Sequence, residues 1–136
     1  MNLFPREKYL KKIRGFCHAD DIIKVITGVR RCGKSCLMQM IAEELRSKGV
    51  PEKQIIYLDM DIRRYRKIKT ADALEKLIDE NDPGGMMRYL FIDEIQNVQN
   101  FEEVLNGFRT EGGWSIFITG SNSYLLSGEL VTKLTG

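Results

Sequence analysis

Three observations predict an α/β fold, a three-layer sandwich around a parallel sheet. Strand-sized apolar runs alternate along the chain with helix-period apolar stripes. A glycine-bearing turn joins the first run to the first long stripe. The third run ends in two adjacent carboxylates, as expected at the edge where open parallel sheets bind ligands. A chain of 136 residues suits one domain with its own core, read as an N-terminal helix over 5–16 and a core over 22–136.

Taken in order, Pro5 to Phe16 reads as a short helix. Pro5 suits a first helical position, and Tyr9, Ile13 and Phe16 fall on one stripe. Ile22 to Thr27 is the first buried strand. From Lys34 a helix carries Leu37, Met38, Ile41 and Leu45 on one face, and Gly49 with Pro51 stops it. Ile55 to Leu58 is the second strand, followed by Asp59 and Asp61.

Ala73, Leu74, Leu77 and Ile78 mark a second amphipathic helix, and Asp82-Pro83-Gly84-Gly85 a turn. Tyr89 to Ile92 is the third strand. Asn100 and Glu103 are read as a cap pair for a helix bearing Phe101, Val104, Leu105 and Phe108. Glu111-Gly112-Gly113 turns the chain into a fourth strand, Trp114 to Thr119. Ser121 to Gly136 reads as a loop that becomes helical around Leu125 to Leu134.

The chemistry sits at the strand ends. Gly28-Val29-Arg30-Arg31-Cys32-Gly33-Lys34-Ser35 matches G-x-x-x-x-G-K-[ST], between a strand and a helix as a phosphate-binding P-loop requires. Gly28 and Gly33 let the backbone wrap, so that successive N–H groups face a polyphosphate. Lys34 brings a point charge to the outer phosphates, and the Ser35 hydroxyl suits Mg²⁺. The helix adds its positive end to the same place. Arg30 and Arg31 either contact phosphate or a neighbouring subunit, or act as solvent-facing charges that favour an anion from a distance.

Tyr89 to Glu94 supplies the second half. Asp93 at the strand end suits a Mg²⁺ ligand opposite Ser35, usually through water. Glu94 suits a general base for an attacking water. An adjacent base favours hydrolysis over phosphoryl transfer to another substrate, and the chain holds no Asn-Lys-x-Asp guanine-recognition segment, so the reading is ATP with Mg²⁺, hydrolysed by a switch or motor. The alternative is a regulatory interaction module that binds ATP, hydrolyses little and signals by conformation. Thr119-Gly120-Ser121-Asn122-Ser123 ends the fourth strand with small polar groups suited to sensing the γ-phosphate, or to ordinary turn chemistry.

Bulk properties exclude other classes. A net charge of +2 and a pI near 8.4 are too mild for nucleic acid as a bulk partner. The basic run Arg63, Arg64, Arg66, Lys67 and Lys69 around Tyr65 is read first as a solvated loop, with nucleic-acid binding as the alternative. No apolar run reaches membrane-spanning length, and Met1 to Leu10 has no signal-peptide pattern, so no membrane partner and a cytoplasmic address are expected. Cys17, Cys32, Cys36 and the single His18 lack metal-site spacing. Cys32, beside cations at a helix start, is either a small loop filler or a reactive thiol.

Together these motifs resemble a prokaryotic family of AAA-type ATPases that carry a nuclease-like C-terminal domain of unknown function. The resemblance rests on Ile-Thr-Gly-Val-Arg-Arg-Cys-Gly-Lys-Ser, Leu-Phe-Ile-Asp-Glu-Ile-Gln-Asn-Val, Phe-Ile-Thr-Gly-Ser-Asn-Ser and the closing Leu-Thr-Gly. It implies a P-loop NTPase fold of AAA+ type with sheet order 5-1-4-3-2. It also implies a Walker A segment contacting nucleotide through Gly28, Arg30, Arg31, Cys32, Gly33, Lys34, Ser35 and Cys36. Lys34 and Glu94 are then catalytic, Ser35 and Asp93 the Mg²⁺ ligands, and Thr119 with Ser121 or Asn122 the sensor segment.

Members of that family continue beyond the closing Leu-Thr-Gly with an arginine, a fifth strand and the C-terminal domain. The expectation is therefore a core cut before its fifth strand. Its Ile22 to Thr27 edge would then be open to self-association, or covered by the N-terminal segment or the tail.

Overall fold

The computed structural model describes residues 23–27, 31–85, 87–120 and 131–135, with the backbone alone at 27, 31–37 and 131–135. The order is β1 (Ile23–Thr27), α1 (Arg31–Ser47), β2 (Ile55–Asp59), α2 (Ala71–Asn81), β3 (Arg88–Asp93), α3 (Phe101–Glu111), β4 (Trp114–Thr119) and β5 (Val131–Thr135). The strands form one sheet in the order β2-β3-β4-β1-β5, and every neighbouring pair is parallel. This is the α/β fold that the sequence predicts, in the strand order that the family resemblance implies. The N-terminal helix expected over 5–16 lies outside the described residues.

Strict alternation sorts the side chains between two layers. Ile23, Val25, Ile56, Leu58, Leu90, Ile92, Ile116 and Ile118 pack with α2 and α3 through Leu74, Ile78, Phe101, Val104, Leu105 and Phe108. Ile26, Ile55, Tyr89, Phe91 and Phe117 pack on the opposite face with Met38, Ile41, Ala42 and Leu45 of α1. On that second face the registers Tyr57↔Phe91 and Phe91↔Phe117 build an aromatic ladder. Its ring centroids stand 5.7 and 4.9 Å apart. Lys24, paired with Phe117 across β1 and β4, extends the row. It is fully buried, with Nζ 4.8 Å from the Phe117 ring centroid and donating to Ser115 Oγ at 2.9 Å.

The helix ends follow local rules. α1 stops in a Schellman turn: Val50 N–H reaches Leu45 O at 3.0 Å and Gly49 N–H reaches Arg46 O at 3.1 Å, with Gly49 at φ 96°. Thr70 Oγ1 caps α2 by accepting from Ala73 N–H. The expected Asn100–Glu103 side-chain cap does not form. Asn100 is the residue before α3, but it sits in the left-handed region at φ 58° and makes no side-chain cap, while its carbonyl accepts from Glu103 N–H. Asn serves there because it tolerates that conformation.

Two expectations about the last segment are corrected. Val131–Thr135 is a strand rather than part of a helix, in keeping with its β-branched Val131, Thr132 and Thr135. The fifth strand expected to be missing is therefore present. It pairs with β1 from Ile23↔Val131 to Thr27↔Thr135, so β1 lies between β4 and β5 and is not an open edge. No helix of the described residues is long and apolar enough to cross a membrane.

Candidate functional site

Because all strands run in one direction, β1, β2, β3 and β4 end at a common carboxyl edge, in Thr27, Asp59, Asp93 and Thr119. Alternation fixes which way three of these side chains project. Asp59 follows Tyr57 by two residues, Asp93 follows Phe91 and Thr119 follows Phe117, so all three fall on the α1 face. That is the face packed by α1, whose first turns include Lys34 and Ser35.

Asp93 is 3% exposed, and its Oδ1 accepts a short hydrogen bond from the Thr119 hydroxyl. The Thr119 oxygen in turn accepts from the backbone N–H of Glu94 at 3.1 Å. One buried hydroxyl thus ties β4 to Asp93 at the end of β3 and to Glu94 just beyond it. Glu94 leaves the strand with φ 61° and ψ 51°, a left-handed conformation that non-glycine residues seldom adopt. This bend takes its side chain out of the alternation that governs Asp93. Gln96 Nε2 donates to Glu94 Oε1 at 2.7 Å.

Asp59 stands in register with Asp93, and its Oδ1 accepts from Asp61 N–H at 2.9 Å. Burial, with the charges of Asp93, Asp61 and Glu94, pushes its carboxyl above the usual aspartate range, against the lowering effect of that hydrogen bond. Asp59 and Gln96 were not singled out as site residues by the sequence. The available signal for Asp59 was an Asp closing a second apolar run, the same pattern that drew attention to Asp93.

Arg31, Cys32, Gly33, Lys34, Ser35 and Cys36 lie in the first turns of α1, which begins three residues before the expected Lys34. Gly28, Arg30, Ser121 and Asn122 lie outside the described residues. Among the described residues no group of three His, Cys, Asp or Glu side chains is arranged to hold a metal ion alone.

The basic run follows β2 at the same edge. Arg63, Arg64, Arg66, Lys67 and Lys69 are exposed, and so is Ile62 at 44%. Tyr65, considered above as a stacking platform, is half-buried and packs with Ile68 against the core. Away from this edge, a groove of about 250 Å³ between α2 and α3 is lined by Glu75, Asp79, Val104, Gly107, Phe108 and Glu111.

An AAA domain family matches residues 20–136, which takes in the P-loop segment, the Asp-Glu strand end and the Thr119 segment. The chain belongs to that family. As an AAA domain it is a nucleotide-binding, ATPase-like module, and the family implies ATP as ligand, commonly with Mg²⁺. The chain is 40% identical over 135 residues to an uncharacterized protein of Haemophilus influenzae, covering 98% of this chain and 34% of that protein. It is 37% identical over 115 residues to an uncharacterized protein of Methanocaldococcus jannaschii, covering 84% of this chain and 24% of that one. The chain thus spans about a third of the first of these curated relatives and about a quarter of the second.

Proposed function

We propose that this AAA domain binds Mg-ATP at the carboxyl edge of its sheet and hydrolyses it, serving as a switch or motor within a longer protein. The observation that carries the reading is the junction of Asp93, Glu94 and Thr119 at the carboxyl ends of the adjacent strands β3 and β4. Gly28 to Ser35 wraps the phosphates with backbone N–H groups, and Lys34 balances the charge of the outer ones. Arg30, Arg31, Cys32 and Cys36 complete the lining of that loop.

Ser35 and Asp93 would hold Mg²⁺, which would supply charge neutralisation to the phosphates. Thr119 keeps the Asp93 carboxylate turned toward the α1 face. The Glu94 carboxylate takes a proton from water as its oxygen bonds to the γ-phosphorus. The bond from that phosphorus to the β–γ bridging oxygen breaks, and ADP and phosphate leave. Ser121 or Asn122, beyond Thr119, senses the γ-phosphate.

Calorimetry with Mg-ATP and Mg-GTP, with Lys34→Ala as control, tests binding. Preference for ATP that vanishes in the variant supports the site, and equal binding by the variant removes it. Turnover tests the chemistry: Glu94→Gln lowers kcat by about 10²- to 10⁴-fold with binding retained if Glu94 is the base.

The longer protein's further domain and its target remain part of this proposal. The exposed cations from Arg63 to Lys69 favour a polyanion, such as nucleic acid, as that target. Binding of DNA that weakens with salt and is lost in Arg63→Glu/Arg64→Glu supports this, whereas no binding at low salt rejects it.

A further inference from the structure

We propose that Gln96 is a positioning residue for Glu94, fixing one carboxylate oxygen so that the other is presented to the reacting water. The inference rests on the hydrolytic reading above and names a residue that reading does not use.

A glutamate side chain has three rotatable bonds, and holding it in one pose costs conformational entropy. Something must hold it if it is to act as a base in fixed geometry. Gln96 Nε2 donates to Oε1 at 2.7 Å, a charge-assisted bond. Among the described residues nothing donates to Oε2. Both side chains are half-buried, so the bond is partly shielded from competing water.

The support beneath Gln96 is rigid. Glu94 O accepts from Asn97 N–H at 3.2 Å and Ile95 O from Val98 N–H at 3.0 Å, closing a single 3₁₀ turn over Ile95–Asn97. Ile95 and Val98, one residue before Gln96 and two after it, are 0% and 1% exposed and anchor the turn in the core. Asn97 Nδ2 donates to Met60 O at 3.3 Å, tying the turn to the end of β2. Glu94 N–H is held by Thr119 Oγ1. The left-handed bend at Glu94 thus stands between two fixed supports, and it lets the side chain of a residue two positions on fold back onto it.

The choice of a carboxamide also fits the task. A lysine or arginine at this place would bind the carboxylate as a counter-ion and make it a poorer proton acceptor. Glutamine orients without supplying a charge.

The test is steady-state turnover together with Mg-ATP affinity, measured on the full chain for Gln96→Met, Glu94→Gln and the double variant. Gln96→Met keeps the shape and removes the donor. Its expected effect is a fall in kcat of about 10- to 100-fold with KM and Kd for Mg-ATP within about twofold. The double variant is expected to be no slower than Glu94→Gln alone, since Gln96 acts only through Glu94. Gln96→Asn, too short to reach, repeats the test if the methionine variant does not fold.

A kcat within about twofold of wild type for Gln96→Met, or a further equal loss on the Glu94→Gln background, overturns the proposal while leaving the hydrolytic reading intact. Undiminished turnover in Glu94→Gln, or an ATP-binding wild-type chain with no turnover, defeats the hydrolytic reading and the proposal with it.

Discussion

The two ends of the sheet treat charge in opposite ways. Where β3 and β4 begin, Arg88 is 8% exposed and surrounded by acceptors. Its Nη1 bonds both oxygens of Asp82 at 3.1 Å, its Nη2 reaches Gly112 O at 3.3 Å, and its guanidinium lies 4.4 Å from the Trp114 ring centroid. Where β2 and β3 end, like charges gather instead: Asp59, Asp61, Asp93 and Glu94 lie close enough for three of them to raise the fourth's affinity for a proton. One end resolves its electrostatics within the fold. The other leaves its carboxylates crowded, a pattern more common at binding sites than in parts of a fold that serve stability alone.

This contrast predicts that mutations at both ends cost stability but only those at the carboxyl end also cost function. Arg88→Met is expected to cost about 3 kcal/mol, because it leaves Asp82 and the Gly112 carbonyl without their buried donor. Urea unfolding measures it, and nucleotide affinity of the folded variant should be unchanged. Thr119→Val, at the other end, removes a donor to Asp93 and the acceptor of Glu94 N–H, and about 2 kcal/mol is expected. Here a loss in Mg-ATP affinity or turnover should accompany the loss of stability; intact function would break the contrast.

Gly113→Ala is a milder probe of the amino end. Gly113 has φ 81°, and a Cβ there would meet Arg88 Nη2 at 2.8 Å. A loss of about 1 kcal/mol by the same unfolding assay is expected.

The smallest effect has the opposite sign. Folded Asp59 binds its proton more tightly than the unfolded chain does, so the folded state holds the extra proton between the two pKa values. Stability contributed by Asp59 is full below the unfolded value and falls as pH rises through that interval. Asp59→Asn should therefore stabilise at neutral pH, by about 0.5 kcal/mol after solvent screening, or roughly 2 °C in Tm. The gain should vanish below about pH 4. A lower Tm at neutral pH would show that the crowded carboxylates cost nothing.

Much of this architecture is legible in sequence because buried parallel strands are continuous apolar runs. Trp114–Thr119 is found to the residue, and Tyr89–Ile92 gains only one residue at each end. Asp93 stands out because it closes such a run. What stays hidden is non-local or torsional. Val131–Thr135 becomes a strand through pairing with β1, more than a hundred residues earlier in the chain, and no local period announces that. The importance of Asp59 depends on its register with Asp93. The contact of Gln96 depends on a left-handed torsion at Glu94, which the string Asp-Glu-Ile-Gln does not encode. The Asn100 cap was misread for a related reason: its side chain was assigned a bond, while its backbone conformation is what the site uses.

The Tyr57–Phe91–Phe117–Lys24 row also has a consequence for how faithfully the molecule assembles. A slip of β3 by one residue would send Phe91 to the α2–α3 side and Asp93 away from the P-loop helix. The row therefore works as a proofreading key, since only the pairing that stacks its rings also presents Asp93 beside α1. Nucleotide binding then reports the fidelity of strand pairing as well as the integrity of the loop, and a misregistered population would be seen as a silent fraction in any titration.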